Sequence, residues 1–217
     1  IGRGAMGAVW RGVHVLLESP VAIKFLNAAI ASDPEMLDRF MREARSAAAV
    51  RSSHVVQIFD YGVDGAAPYI AMELLVGEPL DQRLAARGTL APPELDKIIG
   101  EVARAVSVAH ELGVVHRDIK PANIFIAREG DHEVTKVLDF GIAKLLARPL
   151  EAPAGSGTHT GMLLGTPNYM SPEQARGQRT VDHRSDLWSL AVLAFECLTG
   201  RQPFESRSLG DMVVKIC

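Results

Sequence analysis

Residues 116–123 read His-Arg-Asp-Ile-Lys-Pro-Ala-Asn and lie between two short apolar runs, Val114-Val115 and Ile124-Phe125-Ile126. Apolar runs that short predict buried strands, so one acid, two cations and an amide are expected on a rigidly held loop. A carboxylate at Asp118, an ammonium at Lys120 and an amide at Asn123 suit phosphoryl transfer. That chemistry needs an orienter or base for an attacking hydroxyl, a cation near the moving phosphoryl group and an oxygen ligand for Mg²⁺. His-Arg-Asp taken alone reads more readily as a charged surface turn. The rest of the chain decides.

Ile1-Gly2-Arg3-Gly4-Ala5-Met6-Gly7-Ala8-Val9 carries G-x-G-x-x-G. In a dinucleotide-binding fold those glycines would open a helix. Here they run into residues 9–15, a β-branched and aromatic stretch, which predicts a hairpin whose bare backbone can close over phosphates. A plain Gly-rich hairpin is the competing reading. Val21-Ala22-Ile23-Lys24-Phe25 predicts a second strand whose one lysine is either an edge charge or a cation facing a cleft. Asp33-Pro34-Glu35 marks a helix start. Met36, Leu37, Phe40, Met41, Ala44, Ala47 and Ala48 give that helix its apolar stripe, with Glu43 inside it. Residues 55–59 and 69–72 predict two more strands, separated by a turn over 62–68, and residues 73–78 leave the sheet.

Residues 92–112 predict an amphipathic helix stopped by Gly113, with His110 near its end as a hydrogen-bonded structural histidine. After a turn at 129–132, residues 134–138 predict a strand that delivers Asp139-Phe140-Gly141. That order lets a carboxylate reach a metal while the ring anchors in the core. Residues 150–165, rich in Gly, Pro, Ser and Thr, predict a mobile loop carrying Ser156, Thr158 and Thr160. Residues 186–199 predict an almost wholly apolar helix, buried on all sides and ended by Gly200.

In their order and spacing these motifs resemble the protein kinases, from Ile1 to about Cys217; Gly165-Thr166-Pro167-Asn168-Tyr169-Met170-Ser171-Pro172-Glu173 completes the set. The catalytic-loop form with Lys120 resembles the serine/threonine branch, of the bacterial, eukaryotic-like kind. The resemblance implies an α+β, bilobal protein kinase-like fold. The N-lobe would occupy residues 1–74, a small antiparallel sheet with one key helix and a truncated first strand. A mainly α-helical C-lobe would occupy residues 75–217 without its C-terminal helices, so the chain is expected to be a fragment.

By the same resemblance Ile1, Gly2, Gly4, Gly7, Val9, Ala22 and Phe125 surround ATP, and Lys24, paired with Glu43, grips its phosphates. Met72 stands at the gatekeeper position, and the backbone at Glu73 and Leu75 meets the adenine. Glu78 has two readings, a contact to ribose or a basic substrate residue, and an ordinary loop acid. Asp118 orients the hydroxyl and accepts its proton, Lys120 neutralises phosphate charge, and Asn123 and Asp139 hold Mg²⁺, with Mn²⁺ as the alternative ion. Thr166 is expected to contact Asp118 and Lys120, Asp186 to anchor the loop backbone, and Glu173 to pair with an arginine beyond this sequence. Ser171 and Ala191 stand where the family usually has Ala and Gly. Unpartnered cations at Arg39, Arg117 and Lys144 would receive a phosphate on Thr160, or on Thr158, and a homodimer could serve that autophosphorylation.

A chain of 217 residues can bury a sizeable core. Its net charge of −3 leaves no basic excess to neutralise a nucleic-acid backbone. No apolar run approaches the ~20 residues that a membrane span needs. Cys197 and Cys217 make no disulfide framework, which predicts a reducing cytoplasmic setting; the family resemblance adds the alternative of a cytoplasmic part of a membrane-anchored whole. Protein Ser/Thr hydroxyls are the expected substrates. The competing class is a non-catalytic pseudokinase-like binding module; such proteins usually lose a residue of the Lys24, Asp118 or Asp139 kind, and all three are present. A metabolite kinase of similar fold is a third reading, opposed by Thr166-Pro167 and Ser171-Pro172-Glu173.

Overall fold

The computed structural model describes residues 1–4, 7–16, 18–140, 167–178, 180–206 and 208–217. Strands β1 (Gly2–Gly4), β2 (Gly7–His14), β3 (Ser19–Leu26), β4 (Ile58–Asp64) and β5 (Ala67–Glu73) form one antiparallel sheet, ordered β1-β2-β3-β5-β4. Period-two alternation along β3 puts Ala22, Lys24 and Leu26 on one face, and all three are buried. Helix α1 (Pro34–Ala49) packs on the sheet through Phe40, Ala44 and Ala47. Asp33 starts it, its carboxylate accepting from the N–H groups of Glu35 and Met36, while Pro34 supplies the preset first turn.

The fourth strand begins later than its β-branched residues predict. Val56 N–H donates to Val137 O, and Val137 N–H donates to His54 O, so residues 54–56 spend their pairing capacity away from the large sheet. Val55 makes only an isolated parallel bridge to Val137. The turn is also tighter than expected: Gly62 and Val63 continue the ladder opposite Tyr69 and Pro68, and the chain reverses at Gly65 with φ 59°.

Beyond β5, the strands β6 (Gly77–Pro79), β7 (Ile124–Glu129) and β8 (His132–Val137) make a second antiparallel sheet, ordered β6-β7-β8. The helices are α2 (Leu80–Arg87), α3 (Pro92–Glu111), α4 (Pro172–Ala175), α5 (Arg184–Thr199) and α6 (Leu209–Ile216). The α3 stripe is buried at Leu95, Ile98, Val102, Val106 and Ala109, as its spacing predicts. Val114 and Val115 do not form a strand; Val114 N–H donates back to Ala109 O at the helix end, which withdraws it from pairing. Helix α5 corrects another expectation. Leu190, Val192, Leu193 and Cys197 are buried, yet Leu187 and Phe195 are 51% and 44% exposed, so the helix has two faces among the described residues. Burial pushes the Cys197 thiol up to about 12, which makes it an inert core sulfur. One apolar core runs from Phe40 and Ile70 through Val137 and Phe140 to Val102 and Leu193. Among the described residues no helix is long and apolar enough to cross a membrane.

Arg83 of α2 is only 3% exposed and meets Glu78 at 2.8 Å, Glu94 at 2.9 Å and Glu133 at 2.6 Å. Glu78 is therefore paired within the chain, although its side chain stays partly exposed. The hydrogen bonds from Arg83 hold the Glu133 carboxyl below the usual carboxylate range. A lowered folded pKa contributes stability that is present above the ordinary value, about pH 4, and is lost as pH falls through the folded value. Arg83→Met is expected to lower the unfolding midpoint at pH 7, because three neighbouring carboxylates then lose the cation they share. It should also flatten the loss of stability below about pH 4. Thermal unfolding from pH 3 to pH 7 checks this, and parallel curves for the two proteins would refute it.

Candidate active site

Lys24 projects from β3 on the face shared by Val9 of β2 and Ile70 of β5, its cross-strand partners. Ala22 lies opposite Met72, so Val9, Ala22, Lys24 and Met72 occupy one side of the sheet. Gly7 closes the hairpin beneath β1: its φ is 145°, and a Cβ there would lie 1.8 Å from Phe25 O. No other residue fits. A small apolar recess behind Met72, lined by Ala47, Val55, Ile70 and Phe140, reaches Asp139.

The 116–123 loop is built from the inside out. Asp186 of α5 is 0% exposed, and its carboxylate accepts the N–H of His116 at 2.9 Å, the N–H of Arg117 at 2.7 Å and Nε2 of His110 at 2.7 Å. That fulfils both the anchor expected at Asp186 and the structural role expected of His110. His116 Nδ1 accepts the Asp118 N–H at 3.2 Å, while Nε2 faces Leu138 O at 2.8 Å. One nitrogen accepts and the other donates, as a neutral imidazole requires. The ring meets Phe140 edge-on with centroids 4.7 Å apart, coupling the loop to the Asp139-Phe140 segment. A single 3₁₀ turn over Pro121–Asn123 then folds the loop back on itself, closed by Asn123 N–H to Lys120 O.

The result is a cluster around one carboxylate oxygen. Asp118 Oδ2 lies 2.7 Å from Lys120 Nζ and 2.8 Å from Asn123 Nδ2, which also donates to Asp118 O at 2.7 Å. Leu138 N–H donates to Asn123 O, bringing Asp139 alongside. Lys24 Nζ is 2.6 Å from Asp139 Oδ2. Both Arg117 and Asp139 hold positive φ, 67° and 58°, which residues bearing a Cβ rarely adopt. Such backbone strain gathers where surrounding contacts over-determine the geometry.

The expected partner of Lys24 was Glu43, and here the structure differs. Among the described residues the carboxylate on the Lys24 ammonium is that of Asp139, and Glu43 sits half-buried on α1. At the sheet's exit Glu73 is fixed more firmly than expected: its carboxylate accepts from Gln57 N–H at 2.7 Å and from Lys136 Nζ at 3.0 Å. Its own N–H donates to Gln57 O. Leu75 follows in a segment without strand pairing, Phe125 lies half-buried on β7, and Ile1 is exposed. Gly2 and Gly4 lie on β1.

No three Asp, Glu, His or Cys side chains cluster as a metal cage among the described residues. Asp139 with the amide oxygen of Asn123 instead suits a hard divalent cation that takes its other oxygens from phosphates and water.

Glu173, expected to pair with an arginine, accepts from the Ser185 hydroxyl, which holds it below the usual carboxylate range. Ser171 donates to Ser185 Oγ at 3.0 Å and caps α4, which gives the unexpected serine a task. Of the three expected cations, Arg39 pairs with Glu35 and the Arg117 guanidinium donates to Val181 O, while Lys144 lies outside the described residues. So do Gly141, Ser156, Thr158, Thr160 and Thr166. Lys136 and Gln174 were missed, although Ser171-x-x-Gln174 is a legible capping box.

A family model described as "Protein kinase domain" matches residues 1–216. Serine/threonine-protein kinase Pkn1 of Myxococcus xanthus is 44% identical over 216 residues, covering 99% of this chain and 30% of that protein. Serine/threonine-protein kinase PknL of Mycobacterium tuberculosis is 40% identical over 216 residues, covering 100% of this chain and 51% of that protein. Serine/threonine-protein kinase PrkC of Bacillus subtilis is 40% identical over 215 residues, covering 99% and 32%. The chain thus spans a third to a half of the length of the curated relatives it matches.

Proposed function

The chain belongs to the protein kinase domain family, and from that premise we propose that it transfers the γ-phosphoryl group of ATP to Ser and Thr hydroxyls of proteins. The observation that carries this reading is the gathering of Lys120 and Asn123 on one oxygen of Asp118, beside the Lys24–Asp139 pair. The Asp118 carboxylate orients the substrate hydroxyl and takes its proton as the new O–P bond forms. The bond from the γ-phosphorus to the bridging oxygen breaks, and its electron pair leaves with ADP. Lys120 places positive charge beside the moving group.

A divalent ion, Mg²⁺ or Mn²⁺, held by Asp139 and Asn123 supplies further charge neutralisation at the phosphates when bound. Lys24 would hold the nucleotide phosphates, with Glu43 as the carboxylate that would steady it there. Val9, Ala22, Met72 and Phe125 frame the adenine, whose polar edge meets the Glu73 carbonyl and the Leu75 N–H. Ile1, Gly2, Gly4 and Gly7 cover the phosphates.

Thr160, and after it Thr158, are the proposed modification sites, phosphorylated between two copies of the chain. Incubating the whole protein with γ-labelled MgATP and a generic protein substrate tests the reading. Label is expected on substrate Ser and Thr, and mass spectrometry should find phosphate at Thr160 or Thr158. Nucleotide binding with no label on any hydroxyl would favour the non-catalytic module. A parent-like rate from the Thr158→Ala/Thr160→Ala double variant would remove the modification sites from the account.

A further inference from the structure

We propose that Gln174 is a positioning residue for the catalytic loop, holding by its carbonyl oxygen the peptide that leads into Asp118. The inference rests on the phosphoryl-transfer reading of Asp118. Arg117 directly precedes that aspartate in the left-handed region, with φ 67°. A residue with a Cβ stays there only when its surroundings fix it. Asp186 Oδ1 accepts the Arg117 N–H at 2.7 Å, and the Arg117 guanidinium donates to Val181 O at 3.1 Å. Gln174 Nε2 donates to the Arg117 carbonyl at 2.8 Å.

That last bond matters most, because the Arg117 carbonyl and the Asp118 N–H belong to one planar peptide. The N–H of this peptide is already held by His116 Nδ1 at 3.2 Å. A rigid plane fixed at its oxygen and at its nitrogen cannot turn about the flanking dihedrals. The direction in which the Asp118 side chain leaves the backbone is therefore set from two sides, and Gln174 supplies one of them.

Gln174 is itself oriented by its second amide atom. Its Oε1 accepts the Ser171 N–H at 3.1 Å, and Ser171 Oγ accepts the Gln174 N–H at 3.4 Å, a reciprocal cap at the start of α4. With the oxygen committed to Ser171, the amide NH₂ faces Arg117.

The two tasks can be separated by substitution. Gln174→Glu keeps the acceptor for Ser171, since glutamate serves equally in a capping box, but sets a carboxylate oxygen against the Arg117 carbonyl. In the whole protein, Gln174→Glu is expected to lower kcat about 10- to 100-fold. The KM for ATP and the unfolding midpoint should stay at parental values. Hydrogen exchange at the Asp118 amide should accelerate, and the substitution should cost nothing further in an Asp118→Asn background. A parental kcat, an equal proportional loss in the Asp118→Asn background, or a kcat that falls only together with the unfolding midpoint would each overturn the assignment. An inactive parent would instead sink the phosphoryl-transfer reading. Exchange at Asp118 then decides the positioning alone, faster in the variant if it holds and unchanged if it does not.

Discussion

Asp118→Asn is expected to lower turnover by about 100- to 10,000-fold while leaving the affinity for MgATP within a few-fold of parental. The substitution is nearly isosteric, and an amide oxygen can still accept from Lys120 Nζ, which lies 2.7 Å from Asp118 Oδ2. The loop should therefore keep its shape, and what disappears is a group able to take the hydroxyl proton. Asp139→Ala should behave differently. It removes the carboxylate 2.6 Å from Lys24 and, in the proposed role, a metal oxygen ligand, so nucleotide affinity and turnover should fall together. Equilibrium nucleotide binding measured beside turnover separates the two roles. Equal losses of MgATP affinity in both variants would show that Asp118 and Asp139 have been assigned wrongly.

Asp186→Ala carries the second large expected effect, through a residue that touches no substrate. Asp186 is fully buried and accepts from His116 N–H, Arg117 N–H and His110. Removing the carboxylate leaves two backbone donors without an acceptor, at about 1–3 kcal/mol each. That is a large share of the ~5–15 kcal/mol that holds a typical domain together. The unfolding midpoint is expected to drop by about 5 °C or more, at roughly 2–4 °C per kcal/mol for a chain of this size. Activity should be lost even at temperatures where the variant remains folded, because the loop that aims Asp118 has lost its anchor. A folded Asp186→Ala protein with parental turnover would remove Asp186 from the account.

Much of this site is legible in the chain because its residues are close in sequence. Asp118, Lys120 and Asn123 fall within one short loop, and its sharp folding is forced by the Pro121–Asn123 turn. The Asp186 anchor is remote, and it is reached through family resemblance rather than through spacing. Pairings between distant segments are where expectation and structure part. Val55 and Val56 have the β-branched look of a strand, but the Val137 backbone pairs with this segment instead, through the His54 carbonyl and the Val56 N–H. Lys24 has two carboxylates within reach of a plausible fold, and local pattern does not rank Asp139 above Glu43. The apolar composition of α5 reveals what can be buried, while neighbours decide which side is: Cys197 is enclosed and Phe195 is 44% exposed. Arg83 reads as one more helix-surface cation until Glu78, Glu94 and Glu133 are seen to converge on it. Its burial is a property of three segments jointly.

Rapid-quench transfer from γ-labelled MgATP, with the whole protein in excess over nucleotide, reports directly on phosphoryl transfer assisted by Asp118. Label is expected to leave ATP in a single exponential and to appear as phosphoserine or phosphothreonine on protein, with ADP released in equal amount. Bound ATP that stays intact over the same interval, with no phosphorylated hydroxyl and with the Asp118→Asn variant indistinguishable from the parent, would contradict that role.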